Sequence, residues 1–129
     1  MTSSMRLQQL TEQLLEVCDE CLVRHSDMRK EMREPDFYKE VKPYADRTHQ
    51  MIDEWDQLIK QWIRTNRPKY VRPIQISTLN DLMKQFTVQS FYQKTGKKRF
   101  VQSIQSASYT LNTVRIALEK EEEEGGDGN

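Results

Sequence analysis

Between positions 37 and 62, residues that pack in a core recur at alternating steps of four and three. They are Phe37, Val41, Tyr44, Thr48, Met51, Trp55, Leu58 and Trp62. That spacing keeps one face of an α-helix turned toward a partner over almost four heptads, whereas a strand would need steps of two. Ile52, Ile59 and Ile63 widen the stripe. A helix over about 36–65 is predicted, with Asp36 as its N-cap. Pro43 lies inside the pattern, so it either kinks this helix or marks a later start.

Three more segments carry the same period. Leu7, Leu10, Leu14, Val17, Cys21, His25, Met28 and Met32 predict a helix over about 2–33, broken by Glu34, Pro35 and Asp36. Leu79, Leu82 and Phe86, with Met83 and Ser90 beside them, predict a third over about 73–95. It starts at Pro73 or is capped slightly later by Ser77 or Thr78, and is closed by Gly96. Phe100, Ile104, Ala107, Leu111, Val114 and Leu118 predict a fourth over about 97–123. Of the four glycines, three fall in the last five residues. That leaves only Gly96 for turns, too few for a β-rich chain of this length. The expected fold is all-α: an antiparallel up-and-down four-helix bundle over residues 1–120, followed by a disordered acidic, glycine-rich tail over 121–129.

Charge and composition set the function classes. Twenty basic and twenty acidic residues balance, which argues against an obligate polyanion binder. No apolar run approaches the ~18 residues of a membrane span, and no signal peptide is visible. Two cysteines do not make a disulfide scaffold, so the expected address is the cytoplasm, with no membrane association.

The residues of the second half carry a resemblance. Arg67, Pro68, Lys69, Tyr70 and Val71, then Gln75 and Ile76, Gln89 and Ser90, Lys97, Lys98, Arg99 and Phe100, and Tyr109, Thr110 and Leu111 resemble the YppE-like family. These are small proteins of unknown function from bacilli and related Gram-positive bacteria. The resemblance implies a four-helix bundle from a bacterial cytosol, and it brings no catalytic residues.

Three constellations bear on chemistry. Cys18 and Cys21 have CxxC spacing and His25 lies one turn further on, so thiolates and an imidazole are available to Zn²⁺. Redox CxxC motifs, however, sit in a thioredoxin-like context that is absent here, and Cys21 and His25 fall on the core stripe. Packing is the expected role and a metal or redox protein the least favoured reading; no cofactor is predicted. Asp46 and His49 are the nearest approach to the Glu-x-x-His pairs of a di-iron bundle, and the remaining ligands are missing. No serine sits in a glycine-rich elbow and no phosphate-cradling loop exists, so neither an enzyme nor a small-molecule substrate is expected.

Positions 67–100 hold eight basic residues against Asp81 alone. Arg67, Lys69 and Arg72 belong to the link between helices 2 and 3. Lys97, Lys98 and Arg99 follow the turn between helices 3 and 4. In an up-and-down bundle these clusters lie at opposite ends, so nucleic-acid or anion binding is expected to be weak. Finally, positions 101–114 and 85–93 carry no charge at all. A solvent-facing helix normally carries charge, and charge-poor surface with aromatics marks interface cores. Helical projection turns Val88, Phe91, Tyr92, Gln102, Gln105, Tyr109 and Ile116 away from the core stripes. The expected partner on helices 3 and 4 is a second copy, forming a homodimer, or another protein.

Overall fold

In a computed structural model, residues 3–127 are described. They form four helices: α1 (Ser3–Glu31), α2 (Lys42–Asn66), α3 (Pro73–Gln89) and α4 (Lys97–Asp127), with no strand among the described residues. Helix α1 packs between α2 and α4, and α3 closes the bundle between the same two, across from α1. This is the antiparallel up-and-down arrangement that short connections favour. No helix among the described residues is long and apolar enough to cross a membrane.

The periodic residues make the core. Leu7, Leu10, Leu14 and Val17 of α1, Ile52, Trp55 and Ile59 of α2, Ile76, Met83 and Phe86 of α3 and Phe100, Ile104 and Leu111 of α4 belong to one buried cluster. The α2 stripe is rotated from its expected centre. Ala45, Ile52, Ile59 and Ile63 are buried, Tyr44, Met51 and Leu58 are half-buried, and Phe37 is exposed. A helix gripped by two neighbours buries a wider arc than a single 4-3 seam, so the flanking isoleucines move to the centre.

Pro43 turns out to be the second residue of α2, preceded by a π-helical turn over Phe37–Val41. Val41 N–H reaches back to Asp36 O and Lys42 N–H to Phe37 O, each five residues away. Proline has no N–H, and its ring would strike the carbonyl four residues earlier in a regular helix; the wider turn removes both problems. Asp36 caps this turn, accepting from Lys39 N–H at 3.0 Å. Arg33 and Glu40 form a two-pronged ion pair at 2.8 and 3.0 Å. With the Asp36 N–H also donating to it, the Glu40 carboxyl is held down to about 2.

Three helix ends depart from expectation. Helix α1 stops at Glu31 because Met32 adopts a left-handed φ of 50°, and Arg33 N–H closes onto Met28 O at 3.2 Å, a Schellman-type ending without glycine. Helix α3 ends at Gln89 rather than near 95. Its continuation is drawn off by α1: Arg29 donates to the carbonyls of Gln93 and Thr95 at 3.0 and 3.3 Å, and His25 Nε2 bonds Thr95 O at 3.0 Å. Helix α4 extends to Asp127 instead of 123; glutamate propensity carries it through Glu124, and nothing in the local propensities explains its passage through Gly125 and Gly126. The expected tail overlaps this helix, and its final two residues lie outside the described ones.

Candidate functional site

The two prolines of the α2–α3 connector decide what it displays. Arg67 ends α2 in a left-handed conformation, φ 45°, its N–H bonded to Ile63 O at 2.8 Å. Arg72 precedes Pro73 and is therefore extended. Extended backbone sends alternate side chains to opposite sides, so Val71 plugs the core while Tyr70 and Arg72 stand in solvent. Gln75 fixes the turn by accepting from Arg72 N–H at 2.8 Å.

Tyr70 does not stand alone. Among the nine exposed large apolar side chains of the described residues, Tyr70 (71% exposed), Ile74 (71%), Tyr109 (76%) and Ile116 (54%) border one run of adjoining hollows. The first, of about 580 Å³, lies between Tyr70 and Ile116 with Trp62 and Lys69 in its wall. A second, of about 360 Å³, joins Tyr70 to Tyr109. Beyond shared residues Gln75 and Thr110, a third of about 300 Å³ runs between α3 and α4 past Ile74 and Leu82. Trp62 Nε1 donates to Glu121 at the near end. The result is an open apolar groove, shallow enough for side chains of a macromolecular partner and walled by few charges.

The expected interface residues divide. Gln102, Gln105, Tyr109 and Ile116 are exposed along the outer face of α4, and Val88 and Tyr92 are half-buried. Phe91 is a correction: at 5% exposure it belongs to its own bundle. Its ring meets Tyr44 edge-on at 5.6 Å, and the Arg24 guanidinium lies 4.0 Å from Tyr44 and 4.2 Å from Phe91. The projection failed because α3 has already ended at Gln89, so Phe91 follows a turn inward. Tyr70 and Ile74 were missed for the opposite reason. They sit among Lys69, Arg72 and Pro73, where a search for uncharged runs does not look; alternation before a proline was the available signal.

The basic clusters fall at opposite ends of α3, as expected, about 25 Å apart for a helix of this length. None of Arg67, Lys69, Arg72, Lys97, Lys98 and Arg99 joins an ion pair among the described residues. Lys69 instead rests 5.8 Å from the Tyr70 ring.

Cys18, Cys21 and His25 do not converge on a metal. No group of three His, Cys, Asp or Glu residues that could hold an ion occurs among the described residues. Both cysteines are free and buried; burial pushes the Cys18 thiol up to about 11 and raises Cys21 as well. Thiols buried in this way are poor nucleophiles. His25 stacks on Phe100 at 4.1 Å and spends Nε2 on Thr95 O.

Burial lowers the His25 pKa below its ordinary 6.5, and the charges of Arg29 and Lys97 add to this. The sign follows. Below pH 6.5 the unfolded chain takes up a proton that the folded chain refuses, so stability falls with pH until the folded value is reached. Denaturant unfolding is expected to lose free energy between pH 7 and pH 5. His25→Gln is expected to flatten that slope, since the carboxylates lowered by folding, Glu40 and Glu54, titrate below this window.

The chain is similar to known proteins in sequence and in fold. The family profile described as a bacterial domain of unknown function, DUF1798, matches residues 11–118. The chain is 29% identical over 119 residues to the uncharacterized protein YppE of Bacillus subtilis, spanning 92% of this chain and 97% of that one. The crystal structure of the same Bacillus protein superposes with a TM-score of 0.90, covering 95% of this chain and 99% of that one. A protein of unknown function from Listeria innocua, 32% identical, gives 0.88 over 94% and 97%.

Proposed function

We propose, from the premise that this chain belongs to the DUF1798 family of bacterial domains of unknown function, that it is a non-enzymatic protein-docking module. The docking face is the groove bordered by Tyr70, Ile74, Tyr109 and Ile116, and the partner is a second copy or another cytoplasmic protein. One observation carries this reading: four of the large exposed apolar side chains, contributed by the connector, α3 and α4, gather on one side of the bundle. Apolar residues scattered singly over a surface need no explanation, but a contiguous set framed by polar residues is the pattern of an interaction site. Covering a large side chain fully is worth roughly 1.5–3 kcal/mol. Glutamine and tyrosine hydroxyl groups along α4 supply hydrogen bonds at the rim.

Tyr109→Glu tests the reading. It places a charge where desolvation would oppose association, on a side chain whose exposure leaves the fold intact. Wild type is expected to associate, seen by light scattering across a concentration series or by co-purification of a defined partner, and the variant to stay folded but lose the association. An association that survives Tyr109→Glu unchanged would place the contact elsewhere.

A further inference from the structure

We propose that the hollow between the end of α1 and the start of α4, remote from the docking groove, binds a small phosphate-type dianion. The hollow measures about 270 Å³; Ser26, Arg29 and Lys30 of α1 and Lys97 of α4 line it together with Leu22, His25, Phe100 and Val101. Three cations and a hydroxyl face it, and no carboxylate does. Its size falls below the roughly 300–1,000 Å³ of sites for drug-sized molecules, which fits a single phosphate group with some hydration.

Two of the three cations are not spent on ion pairs. Lys30 and Lys97 join no ion pair among the described residues. Arg29 is held in place by its carbonyl bonds to Gln93 and Thr95, both made through Nη1, and Nε and Nη2 take no part in them. Arginine presents donors in a planar fork suited to phosphate, and lysine supplies point charge. The stacked His25 and Phe100 rings line the same hollow.

The start of α4 adds its own charge to the hollow. A helix N-terminus carries partial positive charge and favours acidic residues. Helix α4 has none in its first turn and begins instead with Lys97, Lys98 and Arg99. Gly96 offers no side chain to cap the first N–H groups, and the first helical bond runs from Phe100 N–H to Gly96 O. Three cations stacked on the positive end of a helix oppose folding. An oxyanion in the hollow beside Lys97 relieves that opposition and meets both the side-chain charges and the field of the helix end. The sequence breaks the local rule at the point where the fold brings up two further cations from α1.

The test uses the whole chain, inorganic phosphate and phenyl phosphate as probes, and sodium chloride at matched ionic strength as the control. Phosphate is expected to shift the amide resonances of residues 25–30 and 96–101 saturably and to raise the His25 pKa, because the bound charge offsets Arg29 and Lys97. Chloride is expected to do neither. The pair Lys30→Ala, Lys97→Ala is expected to weaken binding roughly tenfold or more by removing two charge-assisted contacts. The pair Lys69→Ala, Arg72→Ala at the other end is expected to leave it unchanged. Phenyl phosphate binding as well as phosphate identifies the terminal group of a phosphomonoester as the ligand, and phosphate alone identifies the free ion. Phosphate no more effective than chloride, or weakened equally by both pairs of substitutions, overturns the proposal.

Discussion

Trp55→Ala is expected to lower unfolding free energy by about 3–5 kcal/mol, the largest effect of any single truncation in the bundle. Trp55 is fully buried at the middle of α2, so its loss leaves a cavity that the neighbouring helices close only in part. A hydrogen bond is lost with it. The indole Nε1 donates to Thr11 Oγ1 at 2.9 Å, and Thr11 in turn donates to Leu7 O at 2.7 Å. This chain of indole, hydroxyl and carbonyl ties α2 to α1 in an otherwise apolar layer. Thr11→Val keeps the shape but strands a buried donor, and is expected to cost about 1–3 kcal/mol. Trp55→Phe retains most of the volume and should fall between wild type and alanine. Urea unfolding with an unchanged slope would assign each loss to the folded state.

Phe91→Ala is expected to be nearly as damaging, again about 3–5 kcal/mol, while Tyr109→Ala should stay within about 0.5 kcal/mol of wild type. Both residues stand in charge-free stretches and project away from the core stripes on ideal helices. Only the folded chain separates them: Phe91 is wedged against Tyr44 beneath the Arg24 guanidinium, and Tyr109 faces solvent. Truncating Phe91 also removes one of the two rings that Arg24 rests against, while the Arg24 Nε donates to Ser90 at 3.0 Å. Equal unfolding free energies for the two variants would contradict this division.

The sequence carries the fold more fully than it carries the face. Every residue of the expected α4 stripe, from Phe100 to Leu118, is buried, because a long helix against two neighbours has little freedom to rotate. The same holds for α1 from Leu7 to Met28. What failed was decided by contacts between segments far apart in the chain. The end of α3 is set by Arg29 and His25, some sixty-five residues upstream, and no local glycine or proline signals it. With that end misplaced, Phe91 was assigned to the surface. Tyr70 and Ile74 were hidden by charged neighbours, although Val71 and Pro73 already imposed the alternation that exposes Tyr70. The cation hollow was invisible for the same kind of reason: Arg29 and Lys30 meet Lys97 only after α1 and α4 pack side by side.

The docking face is the central claim, and site-specific photo-crosslinking in the cell of origin tests it most directly. A photoreactive aromatic amino acid is placed in turn at Tyr70, at Tyr109 and at Val23, an exposed position on α1 away from the groove. Positions 70 and 109 are expected to yield the same covalent protein adduct, a second copy of this chain or one defined partner, and position 23 none. No adduct from either tyrosine position, or an equal adduct from position 23, would contradict the account.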